Sequence, residues 1–268
     1  MSALSTRGKP RAPTPALADD GVSAGAAADS VRTPAAAQLS ILLRSTLRPI
    51  GWHGSLRDQA YAALKQAITD ADIYAQREEV RLDERQLSVA LGVSRTPIRE
   101  AMSLLEQEGF LRTVPRRGIF IVRKTKKQII EMIEMWAALE SMAARLATTN
   151  ASDEEIGGLR HMFDNFRTEP PADHLEEYSD ANIAFHQAII ALSGSHLMGK
   201  TIENLFVHVR AIRRMTISQR DRAARSIADH MGIIEALELR DTELAERLVR
   251  QHSLDLAAHV EKYCDFLD

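Results

Sequence analysis

The sequence predicts a mostly α-helical protein in two folded parts, a small three-helix unit closed by a β-hairpin and then an antiparallel all-α helical bundle. Three observations predict it. Short helical stretches broken by a glycine precede two β-rich runs, "FLRTV" and "IFIV", on either side of "PRRG". Beyond Arg123 the β signal disappears, and six successive segments carry apolar residues at helical spacing. Residues 1–37, by contrast, are rich in Ala, Pro, Ser, Gly and Thr with almost no large apolar side chains, so nothing offsets the entropy of ordering them.

The elements follow in order. Residues 1–54 form an expected disordered tail in which "QLSILLRSTL" (38–47) is apolar enough for a short helix, interrupted by Pro49, Gly51 and Gly54. From Ser55 to Ile68, apolar residues recur at i, i+4, i+7 and i+8, a first amphipathic helix. Asp83 with Gln86 three residues on marks the N-terminus of a second, and Gly92 stops it. Ser94 or Thr96 caps a third, with Pro97 in its first turn, which runs to Gly109. With the hairpin behind it, residues 55–124 read as a winged helix-turn-helix. The bundle, 125–268, has helical periods at 126–149, 152–167, 173–192, 196–218, 222–240 and 241–266, broken at Ser152 with Glu155, at Pro170 and Pro171, at Gly194 and at Asp241.

The net charge is −3 for 268 residues, but it is unevenly placed: +3 over 1–54, +2 over 55–124 and −8 over 125–268. A positive N-terminal half fits contact with a polyanion. A single cysteine, Cys264, excludes an intramolecular disulfide framework and suits a reducing compartment. No apolar run approaches the ~18 residues of a membrane span, and a cytoplasmic location with no membrane partner is expected.

The third helix has two unmixed faces. At about 100° per residue from Arg95, Arg99, Ser103 and Gln107 fall at about 40°, 80° and 120°, whereas Ile98, Ala101, Leu104 and Leu105 fall between about 180° and 300°. Surface arginines are usually only solvated. Here a turn sets the helix across its predecessor, and Arg116 and Arg117 stand at the tip of a flanking hairpin, the layout of a major-groove reader with a wing. An arginine fork donates twice to guanine O6 and N7, while Ser94 and Thr96 at the helix start offer hydroxyls and backbone N–H groups to phosphates.

"RLDERQLSVALGVSRTPIREAMSLLEQEGFLRTVPRRGIFIV" resembles the DNA-binding domain of the GntR family of bacterial transcription regulators. The resemblance implies binding of double-stranded operator DNA as a two-fold homodimer, with Arg85, Arg95, Thr96, Arg99 and Gly118 at DNA-contacting positions. "DADIYAQREEVRL" departs from the family's glycine-bearing pattern, so a differently shaped loop is expected there.

Eight of the nine histidines lie in the bundle. Asn182 and His186, four apart, share one helix face. His230 lies eleven residues before Asp241 and His252 eleven after it. If Asp241 is the turn of a helical hairpin, both imidazoles stand ~16 Å from it and level with one another. Three converging imidazoles suit a divalent transition metal such as zinc or nickel, although a lone buried histidine is usually an ordinary core residue. "NIAFHQAI" and "DHMGIIEALELRDTELAERLVRQH" are similar to the FCD domain of FadR-type GntR regulators, which implies a metal held by Asn182, His186, His230 and His252 and a small carboxylate effector. Asn182 stands where Asp is common and brings no charge. Arg145, Arg210, Arg213 and Arg214 are candidate effector contacts, and Trp136, where many relatives carry arginine, is a candidate to cover an apolar part of the ligand.

The expectation is therefore a ligand-responsive transcription regulator and not an enzyme. The principal alternative is a metal-dependent enzyme fused to a DNA-binding domain, which needs a general base beside the metal. No carboxylate companion to His186 or His230 is evident in the sequence, since Asp229, adjacent to His230, points elsewhere on a helix. A winged helix that binds protein instead of DNA is a second alternative.

Overall fold

In the computed structural model of the chain, the described residues are 43, 46–50, 54–71, 73–74, 79–167 and 170–267. Of the tail predicted over 1–54, residues 1–42, 44–45 and 51–53 lie outside them. Of the short helix expected at 38–47, Leu43 and Thr46 are helical and Leu43 and Leu47 are buried.

The first part contains α1 (Leu56–Asp70), β1 (Arg81–Leu82), α2 (Glu84–Leu91), α3 (Arg95–Gln107), β2 (Leu111–Val114) and β3 (Gly118–Ile121). Local chemistry fixes the ends. The Ser55 hydroxyl accepts from Asp58 N, the Asp83 carboxylate accepts from Gln86 N, and Gly92 closes α2 in the left-handed region at φ 70°. Ser94 holds the N-cap position of α3 yet makes no side-chain cap bond, which leaves its hydroxyl free of the helix. Strand β1 was not expected. It pairs antiparallel with β3 (Arg81 opposite Phe120, Leu82 opposite Ile119), so the wing is a three-stranded sheet in the order β1-β3-β2. Two residues are too few to give an alternating pattern, so only the β3 partner reveals the strand.

The second part contains α4 (Lys126–Asn150), α5 (Asp153–His161), α6 (Leu175–Leu192), α7 (His196–Thr216), α8 (Arg222–Glu238) and α9 (Thr242–Tyr263). Thr125 with Gln128, and Ser152 with Glu155, form reciprocal capping boxes, and Asp241 caps α9 through Leu244 N. The expected helix over 152–167 is shorter. It stops at His161 and a 3-10 turn covers Asp164–Arg167, because Phe163 turns inward to lie 5.4 Å from the Phe185 ring and 5.1 Å from that of His230. Helix α9 runs along α4, and α8 packs beside α9.

One continuous apolar core joins Leu64, Ile98 and Leu105 of the first part to Ile129, Trp136 and Ile212 of the second. Polar contacts also cross the junction: Asp70 pairs with Arg210 at 3.0 Å, and the Tyr74 hydroxyl lies 2.7 Å from His208 Nδ1. Between β3 and α4 only residues 122–125 intervene, and Val122 N is held by Phe110 O at 2.8 Å. No helix among the described residues is long and apolar enough to cross a membrane.

Candidate DNA-reading face and metal centre

On α3 the sequence pattern translates directly into geometry. Ile98, Ala101, Met102 and Leu105 are buried, while Arg95, Thr96 and Arg99 are exposed, the two arginine side chains at 56% and 60%. Glu84, at the start of α2, joins them: its Oε2 accepts from Arg99 Nε at 2.7 Å and from Arg95 Nη2 at 3.3 Å. Sequence reasoning missed Glu84, whose only signal was its place one residue before Arg85. Arg85 and Ser94 are exposed. In the wing turn Arg116 takes φ 63°, Arg117 lies 5.7 Å over the Phe120 ring, and Gly118 takes φ 120°. A Cβ at Gly118 would stand 2.7 Å from Arg81 Nε, a contact that the flexible arginine can relieve by moving, so it is the backbone at φ 120° that calls for glycine.

In the bundle, α6, α8 and α9 bring His186, His230 and His252 together, one ring nitrogen of each lying within 4.8 Å of the others, all buried. His230 Nε2 and His252 Nε2 are 3.3 Å apart. Each Nδ1 is engaged outward. That of His186 bonds Glu140 Oε1, that of His252 bonds Asp229 Oδ2 at 3.0 Å, and that of His230 bonds the Tyr178 hydroxyl at 3.3 Å. A carboxylate can only accept, so Nδ1 of His186 and of His252 carries the proton and Nε2 presents a lone pair inward. His186 Nε2 and Asn182 Oδ1 are buried with no hydrogen-bond partner among the described residues. Orphaned acceptors at such depth cost free energy unless a cation or donor meets them, and this donor set, three imidazoles and an amide oxygen, fits a divalent transition ion.

Burial is the main reason the three imidazoles sit below their ordinary range; Arg213 and the neighbouring rings add to it at His186 and His230, and at His252 the Asp229 hydrogen bond works the other way. They are neutral at physiological pH, as ligands must be. Burial also works against the Glu140 carboxylate, but hydrogen bonds from His186 and Ser253 and the charge of Arg213 hold it below the ordinary range.

Comparison with known proteins completes the assignment. Residues 56–121 match the profile of the bacterial regulatory proteins of the gntR family and residues 131–255 that of the FCD domain. The Nta operon transcriptional regulator of Aminobacter aminovorans is 30% identical over 192 residues, which span 72% of this chain and 86% of that protein. The chain belongs to the GntR family. It is a transcriptional regulator with an FCD domain. The HTH-type transcriptional repressor RspR of Escherichia coli K12 is 26% identical over 181 residues, spanning 68% of this chain and 79% of its own length. In fold, this GntR regulator resembles E. coli McbR/YncC, with a TM-score of 0.65 at 23% identity over 79% of this chain and 99% of that one.

The structure sorts the candidate effector contacts of the regulator. Arg213, 3% exposed, donates from Nη2 to Ser253 Oγ at 3.3 Å, and Ser253 Oγ donates to Glu140 Oε2 at 2.8 Å. Burial lowers its pKa to about 10, so it stays charged at neutral pH. Arg145, Arg210 and Arg214 are committed to Glu246, Asp70 and Asp180 respectively. Trp136 is buried; its indole Nε1 donates to Glu140 Oε2 at 2.6 Å and its ring lies 5.6 Å from that of Phe206. The expectation that His186 and His230 have no carboxylate companion is overturned at His186 by Glu140, whereas Asp229 points away from His230 and bonds His252. Both carboxylates face Nδ1 and fix the orientation of their imidazoles, and both oxygens of Glu140 are already bonded, so Glu140 does not stand as a free general base.

Proposed function

We propose that this regulator binds operator DNA sequence-specifically as a homodimer, and that a small organic acid held in the FCD bundle controls that binding. Arg95 and Arg99 read base edges in the major groove, Ser94, Thr96 and Arg85 meet phosphates, and Arg116, Arg117 and Gly118 form the wing contact. Asn182, His186, His230 and His252 would hold the divalent ion, zinc or nickel by donor type, and Arg213 supplies the second contact to an effector carboxylate. A bound ion would give the site a Lewis-acidic point that neutral ligands leave short of negative charge, which a carboxylate supplies.

The observation that carries this reading is the convergence of one ring nitrogen from each of His186, His230 and His252 to within 4.8 Å of one another, with His186 Nε2 and Asn182 Oδ1, one helical turn apart, both buried without a hydrogen-bond partner. An effector that favours one dimer geometry over another shifts the population able to match the operator spacing.

Fluorescence anisotropy with the promoter duplex and a scrambled duplex tests the DNA half. Wild type prefers the promoter, the preference is lost in Arg99→Ala, and affinity falls with salt by a slope of ~0.9 per phosphate contact. Equal affinity for both duplexes in the wild type, with and without a panel of small carboxylates, would refute the reading. Elemental analysis of the wild type against His186→Ala tests the other half, and equal metal content in the two removes the ion.

A further inference from the structure

Outside the histidine cluster, an 850 Å³ cavity opens on the side of His252 and Asp229 and is flanked by Arg220, Arg222, Arg225 and Lys262. No ion pair holds any of these four cations among the described residues. Arg220 and Lys262 lie 4.1 and 5.3 Å over the Tyr263 ring, and Arg225 Nη2 reaches only the Arg220 carbonyl at 3.3 Å. Arg222 Nε is buried with no partner, like Arg213 Nε within the bundle. Three carboxylates line the cavity with them: Asp229 accepts from His252 at 3.0 Å, Asp255 accepts from Gln251 at 2.7 Å, and Asp221, just before α8, makes no side-chain cap bond.

We infer that Arg222, supported by Arg225, forms a second anion subsite in this cavity, which His252 borders, so that the effector is a dicarboxylate with one end at the histidines and Arg213 and the other at Arg222. The inference rests on the organic-acid reading above and narrows its chemical class. A partly buried guanidinium with an unmet donor is costly to keep charged, and an anionic ligand repays that cost with charge-assisted hydrogen bonds. The cationic field of the cavity is felt by its own histidine: burial first, then Arg222, Arg225 and Arg220, bring His259 down to about 4. A monocarboxylate would leave this subsite unmet, whereas a chain of two to four methylenes carries a second carboxylate outward.

The test is calorimetric titration of the zinc-loaded full chain with butyrate, succinate, glutarate and adipate. At least one dicarboxylate should bind about tenfold or more tighter than butyrate. In Arg222→Gln that preference should fall to within about threefold, with butyrate affinity and zinc content unchanged, and Arg225→Gln should show a smaller fall in the same direction. Dicarboxylates no tighter than butyrate in the wild type, or a preference that survives Arg222→Gln, overturns the subsite while leaving the organic-acid site intact. Absence of binding by every acid to wild type that holds zinc defeats the organic-acid reading itself, and the subsite with it.

Discussion

The Tyr74 hydroxyl meets His208 Nδ1 at 2.7 Å in a buried hydrogen bond that ties the segment after α1 to the middle of α7. Tyr74 also receives Lys124 N on its hydroxyl at 3.3 Å, so one phenol fastens the wing's exit, the DNA-binding part and the bundle at a single point. Tyr74→Phe leaves an imidazole nitrogen and a backbone N–H unmet, and chemical denaturation should record a loss of about 1 to 3 kcal/mol. Burial, with a smaller contribution from Lys124, lowers His208 to about 4. A base whose folded pKa is depressed binds fewer protons folded than unfolded, so its contribution is full above the unfolded value of about 6.5 and fades as pH falls toward the folded one. Wild type should lose stability between pH 7 and pH 4, with a shallower loss in His208→Gln.

Glu84 should matter to operator choice without touching DNA. Its carboxylate holds Arg99 by Nε and Arg95 by Nη2, leaving both Nη groups of Arg99 and Nη1 of Arg95 outside the pair. Exposed pairs contribute modestly, about 0.5 to 1 kcal/mol, so Glu84→Gln should lower the promoter-to-scrambled affinity ratio roughly two- to fivefold. Affinity for scrambled DNA should rise slightly, because a negative charge has left the interface. Competition anisotropy measures both, and an unchanged ratio would show that the pair does not preorganise the arginines.

Gly118→Ala should weaken the wing. The clash with Arg81 Nε is cheap to relieve because that side chain can move, but the backbone at φ 120° is not open to an L side chain without strain. A loss of about 1 to 3 kcal/mol is expected, read as a lower melting temperature and weaker DNA binding. Full retention of both would mean that the turn relaxes to a different conformation at little cost.

Glu140→Gln and Asp229→Asn take the negative charge, and one of two acceptor oxygens, from the groups that hold His186 and His252 in the tautomer with Nε2 inward. Each should lower metal affinity by about ten- to a hundredfold in a chelator competition, while helical content is retained. Trp136→Phe, which removes only one donor from Glu140, should have a smaller effect of the same sign.

How much of this was legible in the sequence depends on the range of the interaction. The level placement of His230 and His252 could be read because both are counted from one turn, and Asp241 is indeed the N-cap of α9. The faces of α3 could be read because helical geometry alone separates Arg99 from Ile98. Glu140 and Asp229 could not, since each serves a histidine on a different helix and no local spacing links them. Asp229 does point away from His230, as a neighbour on a helix must, but away from His230 is toward His252 on α9. Strand β1 and the inward turn of Phe163 likewise follow from partners far along the chain.

The passage from β3 to α4 has a mechanical meaning. Four residues, clamped at Val122 by Phe110 and at Thr125 by its capping box, are too short and too well bonded to act as a swivel. Helix α4 carries Glu140 four turns further on, beneath His186. Any rotation of that helix set off at its inner end must therefore come out as a tilt of the hairpin, as a turn given to one end of a stiff key moves the bit at the other.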